Sequence, residues 1–440
     1  MKKKYLFVFL AAAFFFWAAA QTRIGLTKSR ERQNIALSDQ SAGNPPLIVL
    51  TTVALGGFRG LVVDILWIRL ISLQKEGKVF EIAQLADWIT KLEPQFTAIW
   101  AFHAWNMAYN ISILYANPEH RWLWVKNGIQ LLRDNGLKYN PGEPVLYREL
   151  GWIYQHKVGQ SWDDVHVYYK HKLAKEMDDL FRGPRPDYAS LHSDTKKTQK
   201  MRAEYKLLPE IMQSIEQYYG QLDWRLPETH ALYWAYRGLH SAAAGKDTSQ
   251  CDHMICQSMA AEFMYGRLFI NPDAGIYVPT PRLDLLPGTI KAYEDAIKRA
   301  RVDYLRTAYV NFLSEAVFVL HAYGDDQNAL KLFDKMLAVE PGLKTQMSPE
   351  KYLRKCDQLN ITELPAAVAV AWIEGLLYQS HAVAPGVQAK NASGVRDKAL
   401  LLWQQYTADR QNRKSSEILP DFEMLDQQAL RRADALRVAH

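Results

Sequence analysis

Three short stretches of this 440-residue chain carry groups whose types and spacing could do chemistry. The segment SWDDVHVYYKH sets Asp163 and Asp164 beside His166 and His171, and a helix would bring Asp163 near His166. Two potential ligands on one helix suggest a metal, but Asp before a helix also caps its N-terminus, and the cap with a solvated face is the reading adopted. The segment CDHMIC groups Cys251, His253 and Cys256. Its ligand count is short and neither pair has the usual two-residue spacing of zinc sites, so buried or bridged cysteines are expected. A carboxylate pair such as Asp163 with Asp187 would suit glycoside hydrolysis, which needs two carboxyls held across a cleft. No HExxH, Walker A, nucleophile-elbow or dinucleotide-glycine pattern occurs, and Gly245-Lys246 lacks the upstream glycine and runs into Asp247. No catalytic residue, metal or cofactor is assigned.

These groups have to be carried by a packed body. Hydrophobic residues make up 48% of the chain and charged residues 23%, which a folded domain needs and a disordered chain lacks. The net charge of +6 is scattered rather than gathered in a stripe, so nucleic acid is not an expected partner. The 3 cysteines, Cys251, Cys256 and Cys356, are too few and too odd in number for a disulfide framework, and allow at most one bridge.

The start, MKKKYLFVFLAAAFFFWAAAQTR, has a basic end, an apolar run from Tyr5 to Ala20, and small residues at Ala18 and Ala20. Residues 1–20 are expected to be a signal peptide or a retained membrane anchor. Arg23, Lys28, Arg30 and Arg32 follow, so the count of positive charges does not set orientation. The expected location is the extracytoplasmic face of the membrane, or the periplasm after cleavage. Residues 21–46 form a polar linker ending at Asn44-Pro45-Pro46, and residues 47–440 form one helical domain. Within it, residues 60–75 are apolar nearly all round. Arg59, Asp64 and Arg69 lie five residues apart and cannot share a face. A buried internal helix is expected there, with a basic partner for Asp64.

Beyond residue 79 the apolar residues recur at three- and four-residue spacings, with Gly or Pro at the ends of the runs. Two irregular insertions, near 182–200 and 270–288, are expected to be long loops. Ala329, Phe333 and Pro341 follow Leu313, Ala316, Val317 and Leu320 at the offsets of a second and a first repeat helix. Tyr147, Leu150, Gly151 and Tyr154 match W-x2-L-G-x2-Y with Tyr in place of Trp. A large, a medium and a tiny residue at this spacing let two antiparallel helices approach closely. Pro94, Pro141 and Pro227 each stand six residues before an aromatic, namely Trp100, Tyr147 and Tyr233.

On these residues the chain resembles the tetratricopeptide-repeat family, with matches distributed from about residue 80 to 342. It departs from the family in the irregular spacing of its prolines and in His103, which stands where an apolar residue is expected. The resemblance implies an all-α solenoid of helical hairpins that binds protein or peptide segments along a concave surface. The outward residues of the best-fitting unit would be Arg148, Trp152, Gln155 and His156. In the helix starting near Thr97 they would be His103, Asn106 and Asn110, with Trp105 close by. The expected function is a non-enzymatic interaction scaffold, exported or membrane-anchored through the N-terminal segment, that recruits or organises envelope proteins. The alternative is an exported all-helical enzyme or binding protein acting on polysaccharide. Oligomeric state is left open.

Overall fold

The computed structural model describes residues 59–191, 195–271, 276–300, 302–322, 325–342, 348–349, 352, 366–382, 389–408 and 419–438. The expected leader and linker, and Cys356, lie outside the described residues. The described chain is all-helical apart from one two-stranded hairpin.

The first helices follow one another in space as they do in sequence. Helix α1 (Arg59–Lys75) turns at Gly77, whose left-handed φ of +71° favours a residue without Cβ, and packs on α2 (Val79–Leu92). Helix α3 (Thr97–Trp105) runs on through a wide i→i+5 turn at Asn106–Ile111. Helix α4 (Pro118–Gln130) begins with the Asn117 side chain accepting the Glu119 N–H at 2.8 Å, and continues through a similar wide turn at Leu131–Gly136. Helix α5 (Pro144–Trp152) repeats this pattern, with proline at its first position and a wide turn at Ile153–Val158. Such turns are rare and occur mostly as single insertions within helices.

Helices α6 (His166–Phe181), α7 (Tyr188–Leu191), α8 (Thr195–Lys200) and α9 (Pro209–Tyr219) then intervene. Helix α5 packs instead against α10 (Pro227–Ser241), and α10 against α11 (Ser249–Tyr265). The succession continues through α12 (Leu286–Ala300), α13 (Asp303–Ala322) and α14 (Asp326–Val339). Helix α15 (Ala366–Ala382) packs on both α16 (Ala389–Ala408) and α17 (Phe422–Val438). The apolar interior forms two main clusters that meet along α11 and α12.

The motif residues sit where close packing needs them. Tyr147, Leu150, Gly151 and Tyr154 are all buried. A Cβ on Gly151 would stand 3.2 Å from the Ala231 carbonyl and would also strike Met254, while a Cβ on Gly238 would stand 2.7 Å from that of Tyr147. The two helices are notched into each other, but the partner of α5 lies some eighty residues downstream rather than in the next helix. Leu313, Ala316, Val317 and Leu320 on α13 share one core with Ala329 and Phe333 on α14. The proline spacing also has a structural cause. Trp100 Nε1 donates to the Pro94 carbonyl at 2.8 Å, and the Tyr147 hydroxyl to the Pro141 carbonyl at 3.0 Å. Tyr233 departs from this, donating to the Lys206 carbonyl at 2.8 Å.

Three expectations need correction. The 182–200 insertion contains α7 and α8 rather than only loop. The 270–288 insertion opens on an antiparallel hairpin, Arg267–Asn271 with Ile276–Thr280, in the register Arg267↔Thr280. The β-branched and aromatic residues of these runs favour strands, a signal outweighed in the sequence by the prolines and glycines around them. Helix α1 is not buried all round. Val63, Leu70 and Leu73 face inward, whereas Leu61, Ile65 and Ile68 stand open among the described residues, Ile68 at 68% exposure. Asp64 is exposed, so water solvates its carboxylate.

Candidate functional site

The wide turns of α3 and α5 bring two aromatic helices to one cleft. Arg148, Trp152 and His156 occupy successive turns of α5, so their side chains line one stripe. The Arg148 guanidinium lies 5.0 Å from the Trp152 ring centre, and the Trp152 and His156 rings stack at 4.7 Å and 14°. Trp162, from the loop after α5, extends the stack on His156 at 6.0 Å and 17°. On the facing helix Trp105 and Tyr109 stack at 5.9 Å, and Tyr109 reaches across so that its hydroxyl lies 3.2 Å from His156 Nδ1. Trp162 is 79% exposed, its indole N–H held by Gln160 Oε1 at 2.6 Å.

The floor of the cleft is a buried ionic centre. Both oxygens of Asp163 are fully occupied, Oδ2 accepting from Lys157 Nζ at 2.5 Å and the Tyr169 hydroxyl at 3.1 Å. Oδ1 accepts from Arg121 Nη1 and the Val165 N–H, each at 3.1 Å. Burial pushes the Asp163 carboxyl up, but the Lys157 and Val165 hydrogen bonds outweigh it and bring it down to about 2. Arg121 also pairs with the exposed Asp164 and donates through Nε to the Tyr115 carbonyl at 2.5 Å. Lys157 is enclosed by the rings of Tyr109 and Tyr169, 5.2 and 5.9 Å from its nitrogen. Tyr109, Ile113, Arg121, His156, Lys157, Trp162, Asp163 and Asp164 enclose about 280 Å³.

Burial, and secondarily the Lys157 charge, lowers the His156 pKa, while burial, followed by the Glu149 charge, raises that of Tyr109. The pair is therefore neutral near pH 7, and the tautomer of His156 sets which of the two groups donates.

The structure separates the residues singled out in the sequence. Arg148, Trp152, His156 and Trp105 belong to the ladder. His103, Asn106 and Gln155 do not face outward as expected, because all three are buried. Asn106 donates to the Val79 carbonyl at 3.1 Å and accepts from the half-buried Asn110 at 2.9 Å, which pins α3 to the start of α2. Gln155 reaches inward to the Ser258 hydroxyl at 3.4 Å. His103 takes the apolar place, its ring nitrogens without partners among the described residues and its pKa lowered by burial to about 4. Tyr109, one helical turn from Trp105, was within reach of the same stripe reasoning. Trp162 could be found as a lone indole in a polar loop. The Arg121–Asp163 contact spans 42 residues and leaves no local trace.

Among the described residues no group of three or more His, Cys, Asp and Glu side chains could hold a metal ion. Cys251 and Cys256 are free thiols buried on α11, and His253 packs edge-on against Tyr304 at 5.2 Å. Asp187 accepts the Ala189 N–H at 3.1 Å at the start of α7.

A second polar cluster lies in the interior. Glu262 on α11 is buried, accepts from the Thr229 hydroxyl, and keeps Oε2 without a partner among the described residues. Burial, with Glu228 and Asp223 nearby, raises its pKa well above the usual carboxylate range. A Cβ on Gly266 would come within 2.7 Å of that oxygen, so the helix end closes over the carboxyl.

No family model, curated protein or solved structure matches the chain.

Proposed function

We propose that this chain is a non-enzymatic interaction scaffold, built as a tetratricopeptide-like solenoid, that holds an extended protein segment against the aromatic cleft between α3 and α5. The observation that carries the reading is the ladder Trp105–Tyr109–His156–Trp162, ending in an indole that is 79% exposed. Aromatic and arginine side chains dominate binding energy at protein interfaces, and here they are held in place before a partner arrives. The succession of helices packed on neighbours supports the solenoid, with α6 to α9 as an insertion into it. A non-catalytic role fits the ionic centre, because Asp163 has no lone pair left for a reacting proton. Export or anchoring rests on the basic and apolar start of the sequence. Among the described residues no helix is long and apolar enough to cross a membrane.

The polysaccharide reading draws on the same exposed indole, since an aromatic face also stacks on a sugar ring. One experiment separates the two. A photo-cross-linking residue placed at Ile113, exposed at the cleft edge, is introduced into the full chain in its native envelope. The scaffold reading predicts a discrete protein adduct that disappears in a Trp152→Ala, Trp162→Ala background. Absence of any protein adduct, or one indifferent to those changes, rejects it.

A further inference from the structure

The hydrogen-bonding character of the cleft narrows the kind of segment it would hold. Donors are in excess along the ladder. Among the described residues the indole N–H groups of Trp105 and Trp152 make no hydrogen bond. Arg121 spends Nε and Nη1 on Tyr115, Asp163 and Asp164, leaving Nη2 without a protein acceptor among the described residues. Acceptors are scarce by comparison. Asp163 is saturated, and Asp164 engages Arg121 through one oxygen with the other open to water. An ordinary peptide would bring one N–H donor for each carbonyl to a wall that already has donors to spare.

Proline brings carbonyls without N–H groups, and its ring packs flat on aromatic faces. The spacing agrees with that choice. Ring centres along Trp105–Tyr109–His156–Trp162 are 5.9, 5.8 and 6.0 Å apart. A polyproline II strand rises about 3.1 Å per residue, so each rung corresponds to about two residues of such a strand. The strand is also already extended, and ordering it costs little conformational entropy.

We propose that the cleft takes a proline-rich segment in the polyproline II conformation, its rings against Trp105, Tyr109 and Trp162 and its carbonyls facing the free N–H groups of Trp105, Trp152 and Arg121. This rests on the scaffold reading and names the partner's chemistry.

The test is titration of the purified full chain, in mild detergent, with a nine-residue oligoproline, a nine-residue Gly-Ser peptide and a linear glucose hexamer, followed by tryptophan fluorescence and calorimetry. Saturable binding of oligoproline alone is expected, weakened at least about tenfold by Trp162→Ala and by Trp152→Ala, with melting of the Trp162 variant unchanged. No binding of oligoproline, equal binding of the Gly-Ser peptide, or affinity that survives both substitutions overturns the proposal, as does binding of the sugar in its place. A protein adduct at Ile113 whose cross-linked segment lacks proline would overturn it while leaving the scaffold reading intact. Loss of both results would remove both.

Discussion

The Tyr109 hydroxyl lies 3.2 Å from His156 Nδ1, joining the wide turn of α3 to the wide turn of α5 across the mouth of the cleft. Neither residue is placed there by α-helical periodicity alone. An i→i+5 turn shifts the register of the side chains within it, and two such turns face each other here.

Tyr109→Phe removes a single hydroxyl from this bridge. The expected cost is about 1 kcal/mol in urea unfolding, the usual net worth of one hydrogen bond. A hydroxyl that donates to Nδ1 favours the neutral ring, so its removal should raise the His156 pKa, which burial depresses in the native protein. NMR titration of the imidazole checks this, and an unchanged or lower pKa would mean that Nδ1 carries the proton.

Acid should weaken the fold through its buried histidines. His103 and His230 are buried, and burial lowers each from 6.5 to about 4. The unfolded chain binds protons to these rings below about pH 6.5 and the folded chain does not, so stability falls with pH through that window and levels off below about 4. By pH 5 each ring contributes a loss of about 2 kcal/mol. Urea midpoints at pH 7 and pH 5, with His103→Leu as comparison, measure it. A variant as acid-sensitive as the parent would exclude His103 as a source.

Asp163→Asn leaves Lys157 and Arg121 facing a neutral amide in a buried site. Breaking one side of a buried ion pair typically costs about 3–5 kcal/mol, and that range is expected here. In the parent the Asp163 carboxyl is depressed, so its contribution is present above about pH 4 and is lost as pH falls through about 2. Chemical unfolding at pH 7 shows the first effect. A loss below about 1 kcal/mol would mean that the ionic centre does not hold the cleft floor.

Gly151→Ala drives a methyl group toward the Ala231 carbonyl and Met254. Overpacking of this kind costs about 1–3 kcal/mol. Thermal melting checks it, and an unchanged or higher melting temperature would show that α5 and α10 are less closely notched than the structure has them.

Much of this architecture could be read from the sequence because its causes are local. The Pro94–Trp100 and Pro141–Tyr147 spacings reflect an aromatic polar tip bonding back to a proline carbonyl at the entry to its helix. Arg148 and Trp152 share a stripe by simple helical geometry, one turn apart on α5. What remained hidden depends on distant partners or on register. Gln155 turns toward Ser258, 103 residues away, and Asp163 meets Arg121, 42 residues away. The exposed side of α1 is not legible in the sequence, because an apolar composition says that a helix tends to be covered, not whether the described neighbours cover it. The hairpin at 267–280 was hidden because short strand signals compete poorly with nearby breakers.

The most direct test of the scaffold account is to replace Trp162 with Ala and to measure melting and partner cross-linking from Ile113 on the same preparation. The side chain is 79% exposed, so stability should change by no more than about 0.5 kcal/mol, while the adduct should fall at least about tenfold. An adduct of undiminished yield from a normally folded variant would contradict the account, because the most exposed rung of the ladder would then play no part in holding a partner.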